Sequence, residues 1–406
     1  MGGTRTRSIE VMVEQCVSGA APGGDDGSPA DPVVFDYRDP VAGFAGYLAI
    51  DGRHNSLAAG GFRVQPGLRA QTVARLARAM TLKQRLLGLG VDGAKCGIDF
   101  DPRDPGKSAA MRRFIRFLRP HLLTRFSMGP DMGTEWNEIE CLARAEGIPS
   151  VKIAVAGAQG LPREEVVHRL RLLDRDVGGA TLGQRRAGHG LAHAALAATG
   201  ARDGAGLRVG VQGFGTLGRA TVQSLAEAGA RIVVVADEHG ALVDAGGLDV
   251  ARLLTLSPRA PVAAASPQRR ADRGAVFDAD VALLVLAACQ DAMSAERAAA
   301  LPHDVRAVVV GANLGLAPEV EDLLAGRGIA VVPDFVGGCG GSASMSALFG
   351  PPGCPTPDEF LDRLGASMRA LVHRVLGRAA AAGVGPRAAA LALCREPCSR
   401  QTPYGA

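Results

Sequence analysis

The chain has 406 residues, 47% hydrophobic and 21% charged, the proportions of a soluble globular protein with room for two domains and a sizeable core. No apolar run reaches the length of a membrane span, and the first residues lack the hydrophobic centre of a signal peptide, so a cytoplasmic protein is expected. The formal net charge of +4 is spread along the sequence without a polybasic block, which gives no footing for nucleic acid or a membrane surface.

Residues 1–35, rich in Gly, Asp, Pro and Ser around "SGAAPGGDDGSPADP", read as a loose arm. The opening "MGGTRT" fits a myristoylation pattern of the kind that arises by chance. "AGFAGYLAIDG" reads as a strand entering a turn. From Ala70 to Leu87, Val73, Leu76, Met80 and Leu87 recur at helical spacing, and Lys83 falls on their face. "LGLGVDGAKCGIDFDP" reads as a tight turn and a buried strand with Lys95 inside it. "MRRFIRFLRPHLL" reads as an amphipathic helix ended near Pro120, and "SMGPDMGTEW" as a polar turn before a helix that Thr134 caps. These elements make residues 36–178 an α/β substrate and catalytic domain.

Residues 179–340 change character. "LRVGVQGFGTLGRATVQSLAEAGARIVVVADEHG" is strand, glycine turn, helix and strand, a complete βαβ unit. Strands are expected near 280–288, 306–313 and 329–335, with helical patterns between them. The reading is a parallel, doubly wound Rossmann sheet, with a cleft between the two α/β domains. Residues 341–406 read as helices returning to the first domain.

Gly213, Gly215 and Gly218 form G-x-G-x-x-G between strand and helix. Thr216 and Leu217 begin the helix whose N-terminus would meet a pyrophosphate. Asp237, about 24 residues after Gly213, ends the next strand, placed for a ribose diol. NAD is therefore favoured, while Arg219 and His239 keep NADP open.

Of 45 basic residues only four are lysine: Lys83, Lys95, Lys107 and Lys152. Lysine's amine is compact and can lose its proton when buried, whereas guanidinium stays charged. Plainer readings stand beside a chemical one. Lys83 could snorkel from a helix end, Lys95 could pair with Asp92, Asp99 or Asp101, and Asp131 could cap the following helix. The eight cysteines lack ligand spacing, so reduced thiols and no metal are expected.

Taken together, "GGFR" (Gly60–Arg63), "MTLK" (Met80–Lys83), "GAKCGIDFDP" (Gly93–Pro102), "GPDMGT" (Gly129–Thr134), "VQGFGTLG", "VVVADEHG", "GANLG" and "VVPDFVGGCGG" resemble, in order, the glutamate/leucine/phenylalanine/valine dehydrogenase family. The resemblance covers roughly residues 40 to 345. It implies NAD(P)-linked, reversible deamination of an L-amino acid to a 2-oxo acid and ammonia by a homo-oligomer. It implies that Lys83 holds the substrate α-carboxylate, that Lys95 assists attack of water on the iminium, and that Asp131 shuttles protons. Ala59, Gly60, Gly61, Gly338 and Met345 would line the substrate, and Ala287, Ala288 and Asn313 the cofactor.

Several positions depart from the pattern. Glutamate-specific members carry a lysine before "GG-x-R" and a serine seven residues after the asparagine of "NAGG", where this chain has Ala59 and Met345. An unpaired γ-carboxylate would be costly to bury, so a non-glutamate substrate is expected, with an apolar or nonproteinogenic side chain. The asparagine itself is Gly338, "ATG-x-G" becomes "AGHG" at Ala187–Gly190 with His189 beside the gap, "PAA" becomes "LAA" at Leu286–Ala288, and Asp92 replaces a glycine and is expected to face solvent. Two further readings are an enzyme joining or reducing imines of another amine, motivated by Gly338 and the "AGHG" segment, and a non-catalytic nucleotide-binding homologue.

Overall fold

The structure, a computed structural model, describes residues 31–257, 260–396 and 403–405. The "MGGTRT" opening, most of the expected arm, Cys16 and Cys398 lie outside the described residues. Five strands, β1 (Val33–Arg38), β2 (Ala45–Asp51), β3 (Ala58–Val64), β4 (Asp92–Ile98) and β5 (Phe126–Pro130), form one sheet in the order β1-β2-β4-β3-β5. β1 begins inside the segment read as arm. It pairs antiparallel with β2, and its Phe35 and Tyr37 alternate onto one face and pack against His121 and Phe114 at 4.5 and 5.5 Å between ring centroids, which anchors the edge strand to the helix that carries both.

Helices α1 (Ala70–Leu86) and α2 (Lys107–Thr124) cover opposite faces of this sheet. Gly93 lets α1 lie directly on β4: a Cβ there would come within 2.3 Å of Ala77 O and Thr81 N. On the other face Phe114 of α2 meets Phe62 of β3 at 5.5 Å. α2 does not stop at Pro120. Both Pro120 and Arg116, whose carbonyl loses its helical donor, are exposed, so water can replace the missing bond.

After α3 (Trp136–Ala145), α4 (Ala154–Gln159) and α5 (Arg163–Leu170), helix α6 (Leu182–Ala198) opens the second domain behind a Thr181/Gln184 capping box. Strands β6 (Arg208–Gln212), β7 (Arg231–Asp237), β8 (Gly240–Val243), β9 (Arg270–Ala271), β10 (Leu283–Leu286), β11 (Ala307–Val310) and β12 (Ala330–Val332) form a sheet in the order β12-β11-β10-β6-β7-β8-β9. The first five in that order are parallel; β8 and β9 are antiparallel, which a purely parallel reading did not foresee. The reversal is the two-residue turn Glu238–His239, with Asp237 opposite Gly240.

Helices α7 (Thr216–Glu227), α8 (Val250–Thr255), α9 (Ala275–Asp278), α10 (Ala295–Ala299) and α11 (Pro318–Gly326) lie between these strands. Pro333 ends β12 earlier than the hydrophobic pattern implies, and α12 (Asp334–Gly337) and α13 (Gly340–Phe349) follow. α14 (Pro357–Ala382) starts at a Thr356/Glu359 capping box, ends at left-handed Gly383, and packs along α6. The tail therefore leans first on the second domain. It reaches the first through Arg374, which donates to Leu86 O, and through α15 (Pro386–Leu393), which packs on α1. Among the described residues no helix is long and apolar enough to cross a membrane.

Candidate active site

Strand alternation gathers the first group of side chains. In the register Ala59↔Gly93, Ala59↔Ser127 and Gly61↔Gly129, one sheet face carries Ala59, Gly61 and Arg63 of β3, Gly93 and Lys95 of β4, and Ser127 and Gly129 of β5. Asp131 follows β5 onto that face. Lys95 Nζ lies 2.7 Å from Asp131 Oδ2, and Arg63 Nε donates to the same oxygen at 2.8 Å. The glycines make this packing feasible. A Cβ on Gly60 would sit 1.6 Å from Ala94 O, and one on Gly61 would lie 2.9 Å from Asp131 Cβ and 3.3 Å from Lys95 Nζ.

Burial pushes the Lys95 amine below the ordinary lysine value; Asp131 pulls it back up, while Arg63 and Lys83 push it down. Burial alone would raise the Asp131 carboxyl, yet Lys95 and Arg63 outweigh it and hold the group ionised, well below the usual carboxylate range. Arg63, the last residue of "GGFR", joins the site although the motif alone gives it no role. Its spacing of two from Gly61 was the available signal.

Three expectations fail here. Asp92 does not face solvent: it is buried, accepts from Asn55 Nδ2 at 2.7 Å and pairs with Arg125 at 2.7 Å, turned away from Lys95. Three residues along a strand is an odd step, which places the two side chains on opposite faces. Asp99 and Asp101 accept the backbone N–H groups of Gly67 and Arg103 and leave Lys95 to Asp131. Thr134 does not cap α3, whose N-cap is Glu135. Its hydroxyl donates to Phe62 O at 2.7 Å and accepts from Asp131 N at 2.9 Å, holding the Asp131 turn against β3.

Lys83 reaches the second domain. Its buried Nζ donates to Asn313 Oδ1 at 2.8 Å. Gly338 leaves room for it, since a Cβ there would lie 2.9 Å from Lys83 Nζ and 2.7 Å from Asp334 O. Asp334 in turn accepts from Leu314 N at 2.8 Å and fixes the loop carrying Asn313. Met345, on α13, is 3% exposed. The "AGHG" segment lies within α6, where a Cβ on Gly188 would be 2.5 Å from Ala220 Cβ and one on Gly190 would be 2.8 Å from Gly340 Cα. His189 points elsewhere, its ring nitrogens 3.3 Å from Ser224 Oγ and 3.1 Å from Leu361 O. It packs between α7 and α14 and opens no space at the cleft.

The dinucleotide turn fits its ligand. Gly213 adopts φ +100, and its Cβ would fall 2.8 Å from the Ala287–Ala288 backbone. A Cβ on Gly218 would be 1.9 Å from Gly213 O, whereas Gly215 faces open space. α7, beginning at Thr216 and Leu217, has no side-chain cap, so its first N–H groups are available to a phosphate. Asp237 accepts from His239 N at 2.8 Å and Val262 N at 2.6 Å, which aims its carboxylate at the end of β7. Arg219 stacks on Phe214 at 4.8 Å and donates to Leu254 O and Leu256 O.

The profile of the Glutamate/Leucine/Phenylalanine/Valine dehydrogenase family matches residues 178–397, and that of its dimerisation domain matches residues 33–146. The chain belongs to this family. It is an NAD(P)-dependent amino acid dehydrogenase, an oxidoreductase acting on CH–NH2 groups. Similar proteins include the NAD-specific glutamate dehydrogenase of Staphylococcus aureus, 27% identical over 320 residues covering 74% of this chain and 71% of the relative. The NADP-specific glutamate dehydrogenase A1 of Halobacterium salinarum is 28% identical over 309 residues, 70% of this chain and 66% of the relative. Among solved structures, the hetero-hexameric glutamate dehydrogenase of Thermus thermophilus in its Leu-bound form superposes with a TM-score of 0.70 at 29% identity, covering 90% of this chain and 87% of that one. These dehydrogenases share the two-domain α/β fold described above.

Proposed function

We propose that the enzyme catalyses reversible oxidative deamination of an L-amino acid other than glutamate. The observation that carries this reading is the Lys95–Asp131 pair, 2.7 Å apart on the sheet face covered by α1, whose Lys83 acts on Lys95 and reaches Asn313 of the second domain. The bound dinucleotide supplies the acceptor for the substrate's α-hydride. Gly213, Gly215, Gly218, the first turn of α7, Asp237, Ala287, Ala288 and Asn313 would hold it. Lys83 fixes the α-carboxylate, and the Gly60–Gly61 backbone lets the reacting carbon approach β3. Lys95, as the free amine, takes the proton from water as its oxygen bonds to the iminium carbon, and Asp131 passes protons between Lys95 and the amino group.

Asp237 supports NAD over NADP, and Arg219, committed to the end of α8, is not free to meet a 2′-phosphate. The dimerisation-domain match and the hetero-hexameric assembly of the Thermus relative support an oligomer, and a cytoplasmic homo-oligomer is the form we propose. Ala59 and Met345 offer no polar group where glutamate-specific members hold the distal carboxylate, which supports a different side chain. With His189 turned away and Lys83 beside Gly338, neither departure argues for a different amine.

A panel of L-amino acids assayed at 340 nm should give turnover with NAD exceeding that with NADP. Absence of turnover with every amino acid, and in reverse with ammonia and 2-oxo acids, would sink the reading. Gly338→Ala should push the Lys83 ammonium off Asn313 and raise the amino acid KM about tenfold, the equivalent of one lost hydrogen bond to a charged group. Its kcat should change little, because Lys95 and Asp131 are untouched.

A further inference from the structure

Two buried cations at the other end of the cleft have no part in the chemistry above. Lys152 is 4% exposed and Arg186 8%. Among the described residues neither has an ion-pair partner. Glu140, the acid nearest in effect to Lys152, accepts from Ser150 Oγ at 2.7 Å, Val151 N at 3.0 Å and Arg144 at 3.3 Å. Lys152 Nζ makes one long bond, 3.4 Å to Ser127 Oγ, and stands 6.0 Å from the Trp136 ring centroid. Arg186 uses Nη1, donating to Gly341 O at 3.1 Å and Ser344 Oγ at 2.7 Å.

The sheet register locates them. Ser127 pairs with Ala59 across β3 and β5, so Lys152 Nζ sits beside Ala59 on the same face as Lys95. On the Gly129 and Gly341 side there is room: a Cβ on Gly129 would meet only Lys152 Nζ at 3.8 Å and Gly60 O at 3.9 Å, and a Cβ on Gly341 would meet nothing within 4 Å. The buried Tyr404, hydrogen-bonded to Ser127 and beside Arg186, closes the other side with its hydroxyl. Buried charges without counter-ions are costly, and a chain that has all but abandoned lysine keeps one here.

We infer that Lys152 and Arg186 form an anion subsite for the end of the substrate's side chain, so that the preferred amino acid is acidic and longer than glutamate. The inference rests on the reading that the reacting carbon lies at Lys95. A lysine at position 59 would project its amine several ångströms into the cleft, whereas Lys152 brings its amine in at the level of the sheet. The subsite is correspondingly deeper, and a γ-carboxylate falls short of it. Burial, helped by Arg186 and opposed by Glu140, holds the empty Lys152 ammonium down to about 7. A docked carboxylate would favour its protonated form.

The test compares kcat/KM for L-2-aminoadipate, L-glutamate and the uncharged L-norleucine in the wild-type enzyme and in Lys152→Met. Wild type should prefer 2-aminoadipate over norleucine by about 100-fold or more, since only the acid satisfies the buried cations. Glutamate should lie between them. Lys152→Met should lose about 100-fold on 2-aminoadipate, chiefly through KM, and leave norleucine unchanged or improved. Wild type that turns over norleucine as well as 2-aminoadipate overturns the inference, whatever the variant does, and leaves the deamination reading standing. Equal losses on both substrates in the variant overturn it as well. If no amino acid turns over, calorimetry with adipate decides: binding weakened tenfold or more by Lys152→Met supports the subsite, and equal binding removes it.

Discussion

Lys95→Met should fold, bind the dinucleotide and lose about 10²–10⁴-fold in turnover, the usual worth of a positioned general base. The wild-type pH profile carries the sharper test. A base works only after losing its proton, so kcat/KM for amino acid oxidation should rise with pH. Burial, Arg63 and Lys83 bring the Lys95 amine below an ordinary lysine against the pull of Asp131, so the rise should come earlier than free lysine titrates. In the methionine variant that limb should vanish from whatever activity remains. A limb unchanged by the substitution would assign it to another group. Stability should suffer less than in Asp131→Leu, because Lys95→Met leaves Asp131 its bond to Arg63, whereas losing Asp131 strands two buried cations.

What could be read in the sequence was what is local in it. The βαβ unit keeps its glycines, helix start and acid within one short segment, so backbone sterics alone specify the turn. Lys95 and Asp131 stand out because glycines surround them in their motifs, and Lys83 because it is a rare lysine on an apolar helix face. The failures are also physical. Pro120 reads as a helix end in the sequence, yet on a solvated face the lost bond is cheap. Asp92 reads as solvent-facing in the sequence because its partners, Asn55 and Arg125, lie 37 and 33 residues away. Ala59 and Met345 alone pointed to an apolar or nonproteinogenic side chain. Lys152 and Arg186 converge from separate segments after β5, and no spacing in the sequence announces that they share a cleft.

The adjacent glycines of β3 should fail in different ways when each is given a single methyl. Gly60→Ala puts a Cβ 1.6 Å from the Ala94 carbonyl oxygen, a backbone atom that cannot swing aside. The paired positions skip from Ala59↔Gly93 to Phe62↔Cys96, so the regular ladder is interrupted where the glycines lie. An alanine at 60 must part β3 from β4 next to Lys95, a cost at or beyond the top of the ~1–3 kcal/mol typical of overpacking. The expected result is a lowered melting temperature, with activity lost in proportion to folded protein. Gly61→Ala meets instead Asp131 Cβ at 2.9 Å, Pro130 O at 3.1 Å and Lys95 Nζ at 3.3 Å, milder contacts that a small shift of the Asp131 turn and a swing of the amine relieve. That variant should melt closer to wild type than Gly60→Ala while kcat falls beyond the loss of folded protein, because the Lys95–Asp131 pair is displaced from the reacting carbon and small misplacements of catalytic groups are expensive. Circular-dichroism melts set beside turnover at 340 nm separate the two. Should both variants lose activity only as they lose structure, the glycine pair would serve the sheet alone and Lys95 would tolerate displacement.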